Sequence, residues 1–421
     1  MTSPIVKLFQ ILEPAIDVPT KILQRFDPPT PTSPILTFQE NGVLEIIMTK
    51  KFFYGLFKEC HDQFNQYLHQ EQERHDLGLL TTDKLQELYY VTSGLLLTTP
   101  SSTTAVSLHW DVVLQTYKNH HQGASLGEFW EFLTLEISFV ETLLTAKLSR
   151  VNKSSVVWLL YKKLLALHCI TLTNYDNSID NHGFNFTNAM MKKILSVVIR
   201  SGETHPRNYY AWNFLRSVIH LVHSHRDNIS MMDIYNKLYG FCRANPSDNS
   251  CWWVLLELLL PDQSSGEFSI KEWGFIIEDI SKTTSTVKNV GSFRFQVNNE
   301  LVSKHLATQF VSLGSQIHIT PWNHLKDVML RCQQLGILQQ ETSTIWQALE
   351  QGSSDEITFS KGKYQYQIAS SLIPDEHGVD TRSKDSSSSE GIIPFDELEK
   401  ISIIKNKARI MGLRTQFFQE L

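Results

Sequence analysis

Three imidazoles, His220, His223 and His225, crowd one short segment, and the first two are spaced to share a helical face. Such a pair can hold a transition metal, but the Glu of His-Glu-x-x-His is missing and no Glu or Cys stands nearby at ligand spacing. No metal site is therefore expected in this chain. Cys60 and His61 form a Cys-His neighbour pair, a nucleophile and base by type. Free cysteines are so often buried that a packed thiol beside a surface imidazole is the expected arrangement. The five cysteines, at 60, 169, 242, 251 and 332, include no CxxC pair. This points to a reducing compartment with neither a disulfide frame nor zinc. Gly-rich phosphate loops and Gly-x-Ser-x-Gly are absent from the sequence, so the chain alone carries no complete catalytic apparatus.

The densest pattern is His205-Pro206-Arg207-Asn208-Tyr209-Tyr210-Ala211-Trp212-Asn213-Phe214-Leu215-Arg216. A proline at a helix entrance is followed by an aromatic pair, Tyr209 and Trp212, on one helical face. The layout recurs as a Pro-like residue and, six positions on, a large apolar anchor. The pairs are Pro100 and Val106, Asn152 and Trp158, Pro206 and Trp212, and Pro246 and Trp252. A further copy begins at Thr320-Pro321-Trp322. Repeats of this kind predict stacked helical hairpins. The first four anchors stand 52, 54 and 40 residues apart, longer than a plain tetratricopeptide period, so insertions are expected at 118–125 and 172–187. Tyr209, Trp212, Ile219 and Val222 are expected to form a buried stripe, as are Trp252, Leu255, Leu256 and Leu259.

These helices sit in a chain of 421 residues, 42% hydrophobic and 11% aromatic, with a net charge of −6. A large core is possible, and no basic excess is available to neutralise nucleic acid. Helical periodicity dominates 83–97, 126–148, 189–198, 231–242, 270–280 and 293–313. Residues 1–42, with Pro28, Pro29, Pro31 and Pro34, read as an extended arm. Asn41-Gly42 is the one hairpin candidate. Residues 43–352 are assigned to the helical array, and 353–373 are left unassigned. The serine-rich 374–394 is expected to be a disordered linker. Residues 395–421 are expected to form a C-terminal helix. The longest apolar run, 252–261, is about half a bilayer span. With no signal-like N-terminus, a soluble cytoplasmic protein without a transmembrane segment is expected.

Pro-x-Asn-Tyr-x-x-Trp in a hairpin array resembles the protein prenyltransferase alpha-subunit repeat family. Ser33-Pro34-Ile35-Leu36 with Glu40-Asn41-Gly42-Val43, and Leu95-Leu96-Leu97-Thr98-Thr99-Pro100 with Thr103-Thr104-Ala105, look like segments of its distant alpha-subunit-repeat-containing branch. The resemblance covers roughly 33–260. It implies a crescent of helix pairs around a separate beta subunit that carries zinc, with no cofactor in this chain. It also implies transfer of an isoprenoid from its diphosphate to a cysteine of a protein substrate. Carried over position by position, Lys153 and Tyr209 face the diphosphate as catalytic groups, and Arg207, Asn208 and Tyr210 line its binding site. Fixed cations and hydroxyl donors are what a developing diphosphate charge requires. The sequence departs from the family in three ways: Asn152-Lys153-Ser154-Ser155 lacks Asn-Tyr, Tyr161 and Leu215 stand where arginine is usual, and Val106 replaces a Trp.

The resulting expectation is an all-α, right-handed superhelix of stacked hairpins acting as the alpha-type subunit of a prenyltransferase heterodimer. The rival is a degenerate repeat protein that only binds other proteins.

Overall fold

The computed structural model describes residues 4–18, 20–26, 33–70, 77–122, 126–175, 186–224, 229–284, 295–312, 318, 320–345, 357–361 and 364–368. The fold is predominantly helical with a small three-stranded sheet, so the all-α expectation needs correction near the N-terminus and at a hairpin over 357–368. Residues 1–42 hold a helix and strands where an extended arm was expected. Pro4 opens α1 (Pro4–Leu12), where its missing N–H has no partner to lose. Ile5, Leu8, Phe9 and Leu12 bury one face of that helix.

Strands β1 (Thr20–Arg25), β2 (Ile35–Glu40) and β3 (Val43–Met48) follow. They lie in the order β1-β3-β2, with β3 parallel to β1 and antiparallel to β2. Asn41 (φ 50°) and Gly42 (φ 76°) make the β2–β3 turn. Both are left-handed, as a two-residue type I′ hairpin demands. On β3, Leu44, Ile46 and Met48 point into the core while Val43, Glu45 and Ile47 alternate outward.

The helices are α2 (Lys50–Gln70), α3 (Thr82–Thr98), α4 (Thr103–Gln122), α5 (Leu126–Leu144), the single turn α6 (Ser149–Asn152), α7 (Ser155–Tyr175), α8 (Asn188–Thr204), α9 (Tyr209–Ser224), α10 (Met231–Ala244), α11 (Asn249–Leu259), α12 (Gln263–Thr284), α13 (Asn299–Ser312) and α14 (Thr320–Gln334). A hairpin of β4 (Ile357–Lys361) and β5 (Tyr364–Ile368) comes last. The expected insertions are partly helix: α4 runs through 122 and α7 through 175. Residues 123–125 and 176–185, the linker 374–394 and the C-terminal segment 395–421 lie outside the described residues.

The chain divides into two units, residues 1–238 with 261–295, and residues 239–260 with 296–421. In the first unit, α4, α7 and α9 each start three residues after Pro100, Asn152 and Pro206, and the anchors Val106, Trp158 and Trp212 are buried. In the second unit, α11 starts three residues after Pro246, with Trp252 buried. Side chains cap these starts: Ser102 accepts from the Ala105 N–H, Ser154 from Val157 and Asp248 from Ser250. Trp322, in the fifth copy, is buried at the start of α14.

Helix α12 closes the first unit across α7 and α9. Lys162 pairs with Glu272 at 3.0 Å and lies over the Trp273 ring, Trp273 Nε1 donates to the Ser217 carbonyl at 3.1 Å, and His220 Nδ1 is 2.8 Å from Ser269 Oγ. His220 therefore sits in a helix interface. The window Ser155–Leu172 of α7 has a mean hydropathy of 1.4, high enough for a membrane span, but 67% of it is buried within the protein. It packs against α5, α9 and α12 as a core helix.

Helices α2 and α3 approach closely at Gly94. A Cβ there would overlap Cys60 Sγ and stand 3.2 Å from Leu56 Cδ1. Burial pushes the Cys60 thiol pKa up to about 12, so this sulfur is packing material. Gly94→Ala is expected to lower stability by about 1–3 kcal/mol, the usual range for overpacking. Adding Cys60→Ala should recover most of that loss in urea unfolding. A neutral Gly94→Ala would show that the helices separate freely.

Candidate functional site

Asn152 is the hub at one edge of the first unit. It is fully buried, and its Nδ2 donates to the Leu144 carbonyl at 2.6 Å, closing the end of α5. Its Oδ1 accepts from Ser201 Oγ at 3.0 Å and from Asn208 Nδ2 at 2.6 Å. Its backbone carbonyl accepts the Trp158 indole N–H at 2.8 Å. The anchor tryptophan is thus tied to the turn that precedes its own helix. Ser154 Oγ donates to the Pro100 carbonyl at 2.6 Å, and His205 Nε2 lies 3.1 Å from the Ala146 carbonyl. These bonds lay the turns before α4, α7 and α9 side by side. Buried polar groups need such partners, since each left unpaired costs about 1–3 kcal/mol.

The edge brings together the residues singled out in the sequence. Lys153 Nζ donates to the Pro206 carbonyl at 3.2 Å, joining the α6–α7 turn to the α8–α9 turn. Lys153 and Arg207 are exposed. Tyr209 and Tyr210 are 59% and 41% exposed, with ring centroids 5.7 Å apart in an edge-on pair. This corrects the expected stripe on α9: Trp212, Ile219 and Val222 are buried, while Tyr209 faces outward. Asn208 departs from the other four. It is fully buried, with Nδ2 directed at Asn152 and Ser201, so its amide serves the turn. Arg207 adopts φ 60°, a left-handed conformation that costs a non-glycine residue about 1–2 kcal/mol. The edge presents an ammonium, a guanidinium and two phenols to solvent. These groups offer positive charge, donors and aromatic surface suited to anionic partners.

A second cluster lies in a groove of about 50 Å³ between α5, α7 and α8. Tyr161 OH donates to Glu141 Oε1 at 2.9 Å, and Lys193 Nζ lies 3.0 Å from Glu141 Oε2. His168 lines the same groove and stacks on Trp130 with centroids 4.6 Å apart. Burial, aided by the Lys193 charge, pushes the His168 pKa down to about 4, so the ring is neutral near pH 7. Burial first, then Glu141, raises that of Tyr161. Sequence reading passed over these groups because they come from three helices and share no local motif. Tyr161 stood out only as a departure from an expected arginine.

A third cluster has the form of a hydroxyl–imidazole–carboxylate relay. Thr92 Oγ1 lies 2.9 Å from His109 Nδ1, His109 Nε2 lies 2.9 Å from Glu136 Oε1, and Tyr89 OH donates to Glu136 Oε2 at 2.7 Å. Thr92, His109 and Glu136 are all fully buried, and Thr92 Oγ1 also bonds the Leu88 and Tyr89 carbonyls. A nucleophile must meet its substrate, and this hydroxyl meets only core. The relay joins α3, α4 and α5.

Residues 4–145 match the family model described as the ECM9 N-terminal domain, and residues 157–280 match the ECM9 middle domain. The chain is also 28% identical over 248 residues to Protein ECM9 of Saccharomyces cerevisiae, across 58% of this chain and 56% of that protein. The similarity thus spans little more than half the length of that relative. These matches overturn the prenyltransferase alpha-subunit resemblance, and with it the assignment as the alpha-type subunit of a prenylating enzyme. The misleading pattern has a physical origin. Proline before a helix, a buried asparagine at the turn and a tryptophan anchor serve packing between helices here, and packing carries no mark of what a protein binds. The beta subunit, its zinc, the isoprenoid diphosphate and the cysteine-bearing substrates rested on that resemblance alone and are carried no further.

Proposed function

We propose that this chain is a docking protein whose Lys153–Arg207–Tyr209–Tyr210 edge receives an acidic segment of a partner polypeptide. The observation that carries the reading is the combination at one turn: exposed cations and phenols stand on a buried, hydrogen-bonded Asn152–Asn208 base. Tyrosine and arginine are the residue types that dominate binding hot spots, and a rigid base lowers the entropy lost on binding. The left-handed Arg207 supports it further, since strain of this kind gathers at functional positions. Stacking of the hairpins into a right-handed superhelix belongs to the same proposal. The constant distance from turn to helix start to buried anchor supports that arrangement.

The test uses a fluorescent peptide of alternating Glu and Leu and a Lys-for-Glu counterpart, titrated by anisotropy. The acidic peptide should bind more tightly, and the preference should fade with salt. Lys153→Glu with Arg207→Glu should weaken binding at least tenfold. Arg207→Gly separates binding from folding: it should raise stability by about 1 kcal/mol by relieving the left-handed strain, while weakening the acidic peptide. Equal binding of both peptides by the unaltered protein would end the proposal.

A further inference from the structure

The groove between α5, α7 and α8 holds an internal ligand. Lys193 lies on α8 with its side chain 52% exposed, yet its ammonium reaches a Glu141 carboxylate that is only 11% exposed. Tyr161, fully buried, fixes the other oxygen of that carboxylate. The chain thus supplies a pre-oriented acceptor and fills it with a flexible, solvent-facing cation.

The far end of the groove is polar in a different way. Seven residues separate Thr134 from Glu141 on α5 and Tyr161 from His168 on α7, about 10 Å of helix each. Ile137 and Leu165 make the apolar floor between the two ends. At the far end His168 is neutral, and its buried Nδ1 has no hydrogen-bond partner among the described residues. Thr134 donates its hydroxyl to the Trp130 carbonyl at 2.7 Å, which leaves its lone pairs to accept.

We propose that this groove takes a lysine side chain of a partner polypeptide in exchange for Lys193. The ammonium would rest on Glu141, the stem on Ile137 and Leu165, and a backbone N–H of the partner on the Thr134 hydroxyl. A four-carbon lysine stem spans roughly 6 Å, which brings the partner's backbone to the His168 end. The surrounding charge fits the exchange. Glu141 is faced by Lys21 and Arg200 as well as Lys193, and these cations are in turn faced by Asp17 and Glu203. Three cations thus stand among three carboxylates, and the exchange turns the Lys193 ammonium out to solvent as the partner's ammonium takes its contact. A guanidinium would also meet the carboxylate, but its planar fork is wider than the place the Lys193 ammonium now fills. The inference does not depend on the acidic-segment reading, since the two sites use opposite charges and different residues.

The experiment titrates the full chain with the capped tripeptide acetyl-Ala-Lys-Ala-amide, its norleucine counterpart and n-butylammonium, read by calorimetry and by the His168 ring resonances. Lys193→Ala should bind the lysine tripeptide about tenfold more tightly than the unaltered protein, because the internal competitor is gone. Glu141→Gln, which keeps an acceptor for Tyr161, should abolish the gain. Thr134→Val should weaken the tripeptide several-fold while leaving n-butylammonium unchanged. Three results would each overturn the proposal: no gain in Lys193→Ala, equal binding of the norleucine peptide, or n-butylammonium binding as tightly as the tripeptide. Thermal unfolding of each variant shows that the fold is intact when binding is read.

Discussion

His109→Ala is expected to destabilise the first unit by about 3–5 kcal/mol, the cost of leaving a buried charged partner unpaired. The imidazole lies between Thr92 and Glu136 with no exposure to water. Its removal strips Glu136 Oε1 of its donor and leaves the carboxylate with Tyr89 alone. Water cannot enter without opening the α3–α4–α5 contact. Burial, then the Glu136 charge, holds the Tyr89 pKa well above its usual value, so that phenol remains a donor throughout the neutral range. Glu136→Gln keeps an acceptor in place and should cost less, nearer 1 kcal/mol. Replacing His109 and Glu136 together by leucine should recover much of the single-variant loss, because nothing charged is then stranded. Urea unfolding with Trp110, the buried neighbour of His109, as reporter measures all three. A loss below 1 kcal/mol for His109→Ala would mean that the relay contributes nothing to the fold.

The second unit should lose stability in acid, beginning near pH 6.5. His305 and His324 face each other with their Nε2 atoms 3.0 Å apart, beside Tyr239 and Trp252. Burial pushes the His305 pKa from its ordinary 6.5 to about 3. Burial, then His305, lowers that of His324, with the Arg331 guanidinium adding to the effect. Both folded-state values lie below the unfolded one, so in the window from about 3 to 6.5 the unfolded chain binds more protons. Stability is therefore complete above pH 6.5 and is lost as the pH falls, at about 1.4 kcal/mol per pH unit for each histidine. Denaturant midpoints followed through Trp252 and Trp253 between pH 8 and pH 4 test this. A His305→Leu, His324→Leu protein should show a flatter profile. The same slope in both proteins would place the acid sensitivity elsewhere.

Much of the helical framework was legible because it is written locally. Apolar spacing at three and four residues located the helices over 83–97, 189–198 and 231–242 to within a few residues of α3, the body of α8 and α10. Asn41-Gly42 located the hairpin because few residues tolerate two consecutive left-handed positions. The proline-rich start misled because Pro4 and Pro34 stand at the beginnings of elements, where proline is tolerated, and α1 and β2 run on from them. Tyr209 misled because a residue in the first turn of a helix can face outward even when the stripe below it is buried. The candidate sites were legible only where they lie in turns. Lys153 and Arg207 announced themselves by standing beside a helix start, whereas Glu141, Tyr161, His168 and Lys193 meet only through tertiary packing, and so do Tyr89 and Glu136, 47 residues apart.

The first unit is discontinuous in sequence, and α12 reaches it only after residues 239–260 have gone elsewhere. A ribosome releases the chain from its N-terminus, so Ser217, His220 and Lys162 emerge well before Ser269, Glu272 and Trp273 exist to meet them. Until about residue 284 has cleared the exit tunnel, α7 and α9 must wait with one apolar flank uncovered. The nascent polypeptide therefore passes through an interval in which that flank still meets solvent.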